Sequence, residues 1–174
     1  YESAYTILKQ CSALDPEAAE VNFQVALYER MFAMRETANK VQDFMPPVIE
    51  KLKKAYDKEP SSKKYARTLL NAYAQMEDSV NILPMLERIV ELDRTNEQYM
   101  LLLLRMYDNR GEYDKELELL QRLETISGIT TETELTRVDI FKSRDGDKKA
   151  LKYLNELLKK HPNVTEYRIF LAQH

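Results

Sequence analysis

The feature that most constrains this sequence is a period. Pro60, Arg94, Gly128 and Pro162 stand 34 residues apart, and each closes an apolar, helix-favouring segment. A unit of that length cannot bury its own apolar face, so it must stack on neighbours that share a continuous core. The frame sets units at residues 63–96, 97–130 and 131–164. Equivalent places carry equivalent chemistry. Tyr73, Tyr107 and Phe141 end the first helix of each unit. Leu83, Leu117 and Leu151 form one column of the second helix, Leu86, Leu120 and Leu154 the next, and Ile89, Leu123 and Leu157 the last. Those three places step by three, which keeps one face of a second helix apolar.

The turns agree with the columns. Asn109-Arg110-Gly111-Glu112-Tyr113 and Arg144-Asp145-Gly146-Asp147 fall at nearly the same point of their units. Glycine there can take the left-handed conformation that ends a helix, and the acidic residue after it favours the next N-terminus. Only three glycines occur in the chain, and period-two alternation of β-branched residues is hard to find. The expected fold class is therefore all-α, with about nine helices.

A helix pair repeated every 34 residues resembles the tetratricopeptide repeat. Gly111-Glu112-Tyr113-Asp114-Lys115 resembles that family's inter-helix turn, and Glu91-Leu92-Asp93 and Ala13-Leu14-Asp15-Pro16 resemble its closing segment. The resemblance covers nearly the whole chain and implies a right-handed α-α superhelix, a solenoid of antiparallel helix pairs. The departures lie at the tight crossing. The family favours a small residue in the first helix, where Leu70, Leu104 and Val138 stand, and another in the second, where only Ala150 complies, against Ile82 and Glu116. Glu116 is costly to bury without a partner.

Run outward, the frame makes one repeat domain of residues 1–174. Residues 1–16, with Ala4, Leu8, Cys11 and Leu14 in a stripe, read as the second helix of a partial repeat, and 165–174, with Tyr167, Phe170 and Leu171, as the start of a further one. Both ends falling inside a repeat lead us to expect a domain cut from a larger protein, with capping ends as the alternative. The unit at 17–62 is expanded. Its surplus suggests a first helix running from Glu17 to Asp43, with Pro46-Pro47 opening the second, where a missing N–H costs little. Met31, Phe32, Met34 and Phe44 on the extension would pack on a neighbour or make residues 31–44 a homo-oligomer contact. Pro84 should make its helix start late, near Asn81, or bend.

Chemistry is sparse. The two histidines, His161 and His174, fall in a loop and at the chain end, and no Cys/His/carboxylate cluster has metal-ligand spacing. Cys11, the only cysteine, reads as a buried packing thiol on the Leu8–Leu14 stripe. No Gly-rich phosphate loop is present. We therefore expect no catalytic residues, no metal and no cofactor. A formal charge of −3 gives no pull toward nucleic acid, and basic residues such as Lys51, Lys53 and Lys54 are interleaved with Glu50 and Asp57. The longest apolar run, Met100 to Leu104, is far short of the roughly 20 residues a membrane span needs. The Tyr-rich style resembles bacterial repeat proteins of the cell envelope, which leans localisation toward periplasm or lipoprotein, with the cytoplasm as alternative.

The family resemblance implies that first helices line a concave groove that takes protein or peptide. The matching places are Phe23, Leu27 and Arg30; Lys64, Arg67, Asn71 and Gln75; Gln98, Leu101, Arg105 and Asp108; and Leu135, Asp139 and Lys142, with Glu132 beside them. Phe23, Leu101 and Leu135 would be apolar floors in a groove of mixed charge. Some members grip the C-terminal carboxylate of chaperones. Arg67 and Asn71 match the opening pair of that clamp, but Leu102, Glu132 and Thr136 stand where its further Asn and basic residues belong, so the clamp is incomplete. The expected function is a non-catalytic protein- or peptide-binding scaffold. The alternative is a sensor or regulatory repeat domain of a larger bacterial enzyme or signalling protein.

Overall fold

The computed structural model describes residues 2–36 and 40–173, and among these it is helical, with no strand. Helices follow in the order α1 (Glu2–Leu14), α2 (Ala19–Glu36), α3 (Val41–Lys58), α4 (Lys63–Gln75), α5 (Ser79–Leu92), α6 (Glu97–Arg110), α7 (Tyr113–Ser127), α8 (Thr131–Asp145), α9 (Asp147–Lys160) and α10 (Thr165–Gln173). That is ten helices among the described residues, one more than the approximate nine expected with the partial end units included. The chain forms two compact units, Tyr1–Arg94 and Thr95–His174.

Capping side chains set the helix starts. Ser62, Asn96 and Thr130 stand 34 residues apart. Each accepts a hydrogen bond from the backbone N–H three residues on: Tyr65 at 3.4 Å, Tyr99 at 3.3 Å and Thr133 at 3.2 Å. Such a cap satisfies a donor that the first turn leaves open. The Thr133 hydroxyl also accepts from the Thr130 N–H at 3.1 Å, completing a reciprocal box.

The turns repeat as well. The Asp78 N–H donates to the Tyr73 carbonyl at 3.0 Å, and the Glu112 N–H to the Tyr107 carbonyl at 2.9 Å, the same closure one period later. Gly111 supplies the left-handed residue of its turn, with φ 68°. At the equivalent place Glu77 takes φ 52° without glycine's freedom. For an L-residue that conformation costs roughly 1–2 kcal/mol. Gly146 ends α8 with φ 88° and ψ 170°, so the third turn has a different shape.

In the first unit one core cluster is built from α2, α3 and α4, with Ile82 and Met85 of α5 packed against it. Met45, Val48, Leu52 and Ala55 line one face of α3 and meet Phe23 and Ala26 of α2 and Tyr65, Leu69, Ala72 and Tyr73 of α4. In the second unit Val138, Ala150, Leu154, Leu157 and Tyr167 form a cluster, and Met100, Leu103, Leu104, Tyr107, Leu119, Leu120 and Leu123 are buried on α6 and α7. The columns at Leu86/Leu120/Leu154 and Ile89/Leu123/Leu157 are buried throughout, whereas the first column fades from buried Leu83 to half-buried Leu117 to exposed Leu151.

Three sequence expectations need correction. The first helix of the expanded unit ends at Glu36 rather than running to Asp43, and α3 starts at Val41, upstream of Pro46 and Pro47. The prolines fall on the exposed side of its first two turns, where the amide bonds they delete from the Gln42 and Asp43 carbonyls cost less than burying Met45 and Val48 gains. Residues 37–39 of the expected extension lie outside the described residues; Phe32 packs against Tyr5 at 5.4 Å between ring centroids. Likewise α5 begins at Ser79, because Asp78 accepts from the Asn81 N–H at 3.2 Å, and Pro84 is carried inside it on an exposed face. Cys11 is exposed rather than packed, and Leu14 is 87 % exposed. The reason is that α1 is tied to α2 through Tyr5, whose hydroxyl donates to Glu29 at 3.3 Å, and Ser12, which donates to Asn22 at 3.0 Å, leaving the Cys11 and Leu14 side outside that contact.

Candidate functional site

The sequence-derived groove residues sort by burial and by partner. In the first unit, Phe23 is only 2 % exposed. It stacks on Tyr65 at 4.7 Å and is covered by the Lys64 ammonium at 4.6 Å from its ring centre. Phe23 is thus part of the core where α2 meets α4, and it offers no floor to a ligand. Leu27 is half-buried against the same core. Arg30 is half-buried, and its Nε is buried without a hydrogen-bond acceptor. Lys64 is committed to Glu20 at 2.8 Å. Arg67, Asn71 and Gln75 are exposed along α4.

In the second unit, Gln98, Leu101, Arg105 and Asp108 follow one another at helical spacing along α6, and all four are exposed. Leu101 is 45 % exposed and Leu102 beside it 48 %, while Met100, Leu103, Leu104 and Tyr107 hold the opposite side of the helix in the core. An apolar side chain left out between polar ones, on a helix already buried elsewhere, gives a surface able to desolvate against a partner. On α8, Asp139 and Glu132 are exposed, Leu135 is half-buried against the core, and Lys142 lines a shallow cleft with Val138, Leu154 and Phe170.

Sequence reading missed the polar ties between successive first helices. The Tyr65 hydroxyl donates to Glu20 at 2.7 Å, and Gln24 and Lys64 donate to the same carboxylate at 2.7 and 2.8 Å. Those bonds, led by Lys64, hold the Glu20 carboxyl down at about 2. Burial first, then the bond to Glu20, push the Tyr65 phenol up. The arrangement recurs between α10 and α8, where Tyr167 donates to Glu134 and is pushed up to about 12, chiefly by burial. Tyr65, Tyr99 and Tyr167 lie on the 34-residue frame, so this column was available in the sequence.

Glu116 of α7 is the one buried acidic side chain among the described residues. It is 4 % exposed, and its Oε2 has no hydrogen-bond partner. Burial first, then the negative charges of Asp108 on α6 and Asp139 on α8, raise its carboxyl to about 7. All three influences act in one direction, so the charged form is disfavoured where it sits. It occupies a place where the repeat pattern calls for a small residue, and two of the candidate groove residues are its electrostatic neighbours.

No protein-family model matches the chain, and no curated protein matches it by sequence. Solved structures do match. YrrB, a TPR protein with an unusual peptide-binding site, aligns over 99 % of this chain and 84 % of its own, at 16 % identity and TM-score 0.56. MamA aligns over 95 % of this chain and 85 % of its own, at 19 % identity and TM-score 0.52. A second MamA structure, from AMB-1, gives 17 % identity and TM-score 0.56 over 95 % of this chain and 83 % of its own. At these identities the likeness shows the fold: an all-α array of antiparallel helix pairs of the tetratricopeptide type.

Proposed function

We propose that this chain is a non-catalytic scaffold that binds protein or peptide through the exposed faces of its first helices. The observation that carries the reading is the face of α6. Gln98, Leu101, Arg105 and Asp108 stand in solvent on a helix whose other side is fully engaged in the core, and Leu101 is an apolar centre with polar flanks. Arg105 adds fork-shaped donors suited to backbone carbonyls and carboxylates, the mixture found where binding energy concentrates. The exposed Arg67, Asn71 and Gln75 on α4 give the first unit a more polar counterpart. YrrB, with the same fold, is a peptide-binding protein, which supports the class of partner and not its identity. No helix among the described residues is long and apolar enough to cross a membrane.

The test is selection from a displayed library of random peptides on the immobilised chain. Selected peptides should bind wild type and lose at least tenfold, about 1.4 kcal/mol, on the double variant Leu101→Asp with Arg105→Glu. That variant should melt with wild type, since both side chains are exposed. Equal binding to both proteins would remove α6 as the surface.

A further inference from the structure

We propose that the cleft between α3 and α5, floored by α4, takes one aromatic side chain of a partner peptide together with an acidic residue beside it. The proposal goes beyond the first-helix reading, because it rests on other residues. Leu69 and Tyr73 of α4 form the floor. They follow Arg67 and Asn71 by two positions, roughly 200° around a helix, so the cleft lies across α4 from that exposed face. Its volume is about 280 Å³. An apolar cavity of about 150 Å³ holds a benzene ring, and pockets that enclose a drug-sized ligand span roughly 300–1,000 Å³. The space therefore suits one ring-bearing side chain whose backbone stays outside. The walls suit a ring as well. Tyr56 of α3 and Met85 of α5 are half-buried there, an aromatic face and a thioether that both pack well on an aromatic guest. Pro84, which costs α5 an amide hydrogen bond, lines the same wall.

The rim adds a preference for charge. Lys53 of α3 and Arg88 of α5 line the cleft against one carboxylate, Asp57. Lys53 is exposed, with no ion pair or hydrogen bond among the described residues. Arg88 commits one N–H to the Pro60 carbonyl at 3.3 Å, which leaves the rest of its donor fork. Tyr73 is 7 % exposed, and its hydroxyl has no partner among the described residues. Burial first, then the charges of Asp78 and Asp57, push that phenol up, so it keeps its proton and can donate. Donors from three successive helices thus border an apolar floor and lack acceptors. A carboxylate next to the guest ring supplies them, and Asp57 can accept the guest's backbone N–H.

The probe is acetyl-Glu-Phe-Glu-amide, titrated into the isotopically labelled chain and followed by backbone amide shifts. It should shift amides of α3, α4 and α5, and bind at least fivefold more tightly than acetyl-Gln-Phe-Gln-amide or acetyl-Glu-Ala-Glu-amide. Lys53→Glu should weaken it at least fivefold and Tyr73→Phe at least threefold. Both variants should melt with wild type, since neither removes a bond made within the chain. Equal binding of either control peptide, or unchanged affinity in Lys53→Glu, would overturn the proposal. Free 3-phenylpropionate binding as tightly as the peptide would make this a small-molecule site and overturn it too. So would shifts of α3 and α5 on concentrating the chain alone, which would assign the cleft to a second copy. The Leu101→Asp, Arg105→Glu double variant should bind the probe like wild type. Library peptides that lose affinity on that double variant while the probe fails would leave the first-helix reading standing and refute the cleft. Probe binding that senses Lys53→Glu, with library peptides indifferent to the double variant, would do the reverse.

Discussion

Replacing Glu116 with glutamine keeps its shape and deletes its charge, so it isolates the cost of a buried carboxylate in the second unit. The folded carboxyl titrates at about 7 against an ordinary value of 4.5. Between those two points the folded chain binds more protons than the unfolded one, so stability falls as pH rises. The loss begins near pH 4.5, where the carboxyl is neutral in the folded state, and levels off above pH 7. Its full extent is about 3 kcal/mol, from roughly 1.4 kcal/mol for each tenfold change in proton affinity. Glu116→Gln should therefore match wild type at pH 4.5 and exceed it by about 2–3 kcal/mol at pH 8, since the amide carries no charge to desolvate and can donate toward Asp108 or Asp139. Urea unfolding followed by circular dichroism at pH 4.5, 6, 7 and 8 reads the difference directly. A wild-type-to-variant gap that stays constant across those pH values would refute the reasoning. So would a variant less stable at pH 8, because the ionised carboxylate would then have a partner.

Glu77→Gly should stabilise the first unit by about 0.5–1 kcal/mol, the relieved left-handed strain less glycine's added chain entropy, whereas Gly111→Ala should cost about 1 kcal/mol, both read by thermal melting. A Cβ at Gly111 would meet nothing closer than 3.7 Å, so that loss is backbone strain and not a clash. Leu120→Ala and Leu154→Ala should each cost roughly 2–5 kcal/mol, and Gln98→Ala should stay within about 0.5 kcal/mol; comparable losses would mean reversed helical faces. Tyr65→Phe leaves the ring stack on Phe23 and removes the donor to Glu20, for about 1–2 kcal/mol in urea unfolding.

The period was legible because stacking forces equivalent places into equivalent burial, and Leu86, Leu120 and Leu154 are buried alike. The caps at Ser62, Asn96 and Thr130 were equally legible, on the same period, and a search for apolar columns alone passed over them. What the sequence hid depends on which neighbour covers a side. Cys11 and Leu14 lie on an apolar stripe like any core position, yet α1 uses its Tyr5 side against α2. Phe23 has the spacing of a surface-facing residue, but Tyr65 and Lys64 reach across from α4 and enclose it. Paired prolines usually open a helix, and here the burial of Met45 draws the start five residues upstream of Pro46. Glu116 was recognised as a departure at a small-residue place, while its missing partner and its two acidic neighbours emerge only from the packing of α7 on α6 and α8.

The central claim is that the first-helix faces bind peptide. Hydrogen exchange of the chain with and without a library-selected peptide tests it most directly, because protection maps contact without assuming which side chains matter. Binding through the proposed surface should slow exchange in α6 and α8, over residues 97–110 and 131–145, and leave α9 unchanged. Protection concentrated on the second helices α5, α7 and α9, with α4, α6 and α8 unaffected, would contradict it.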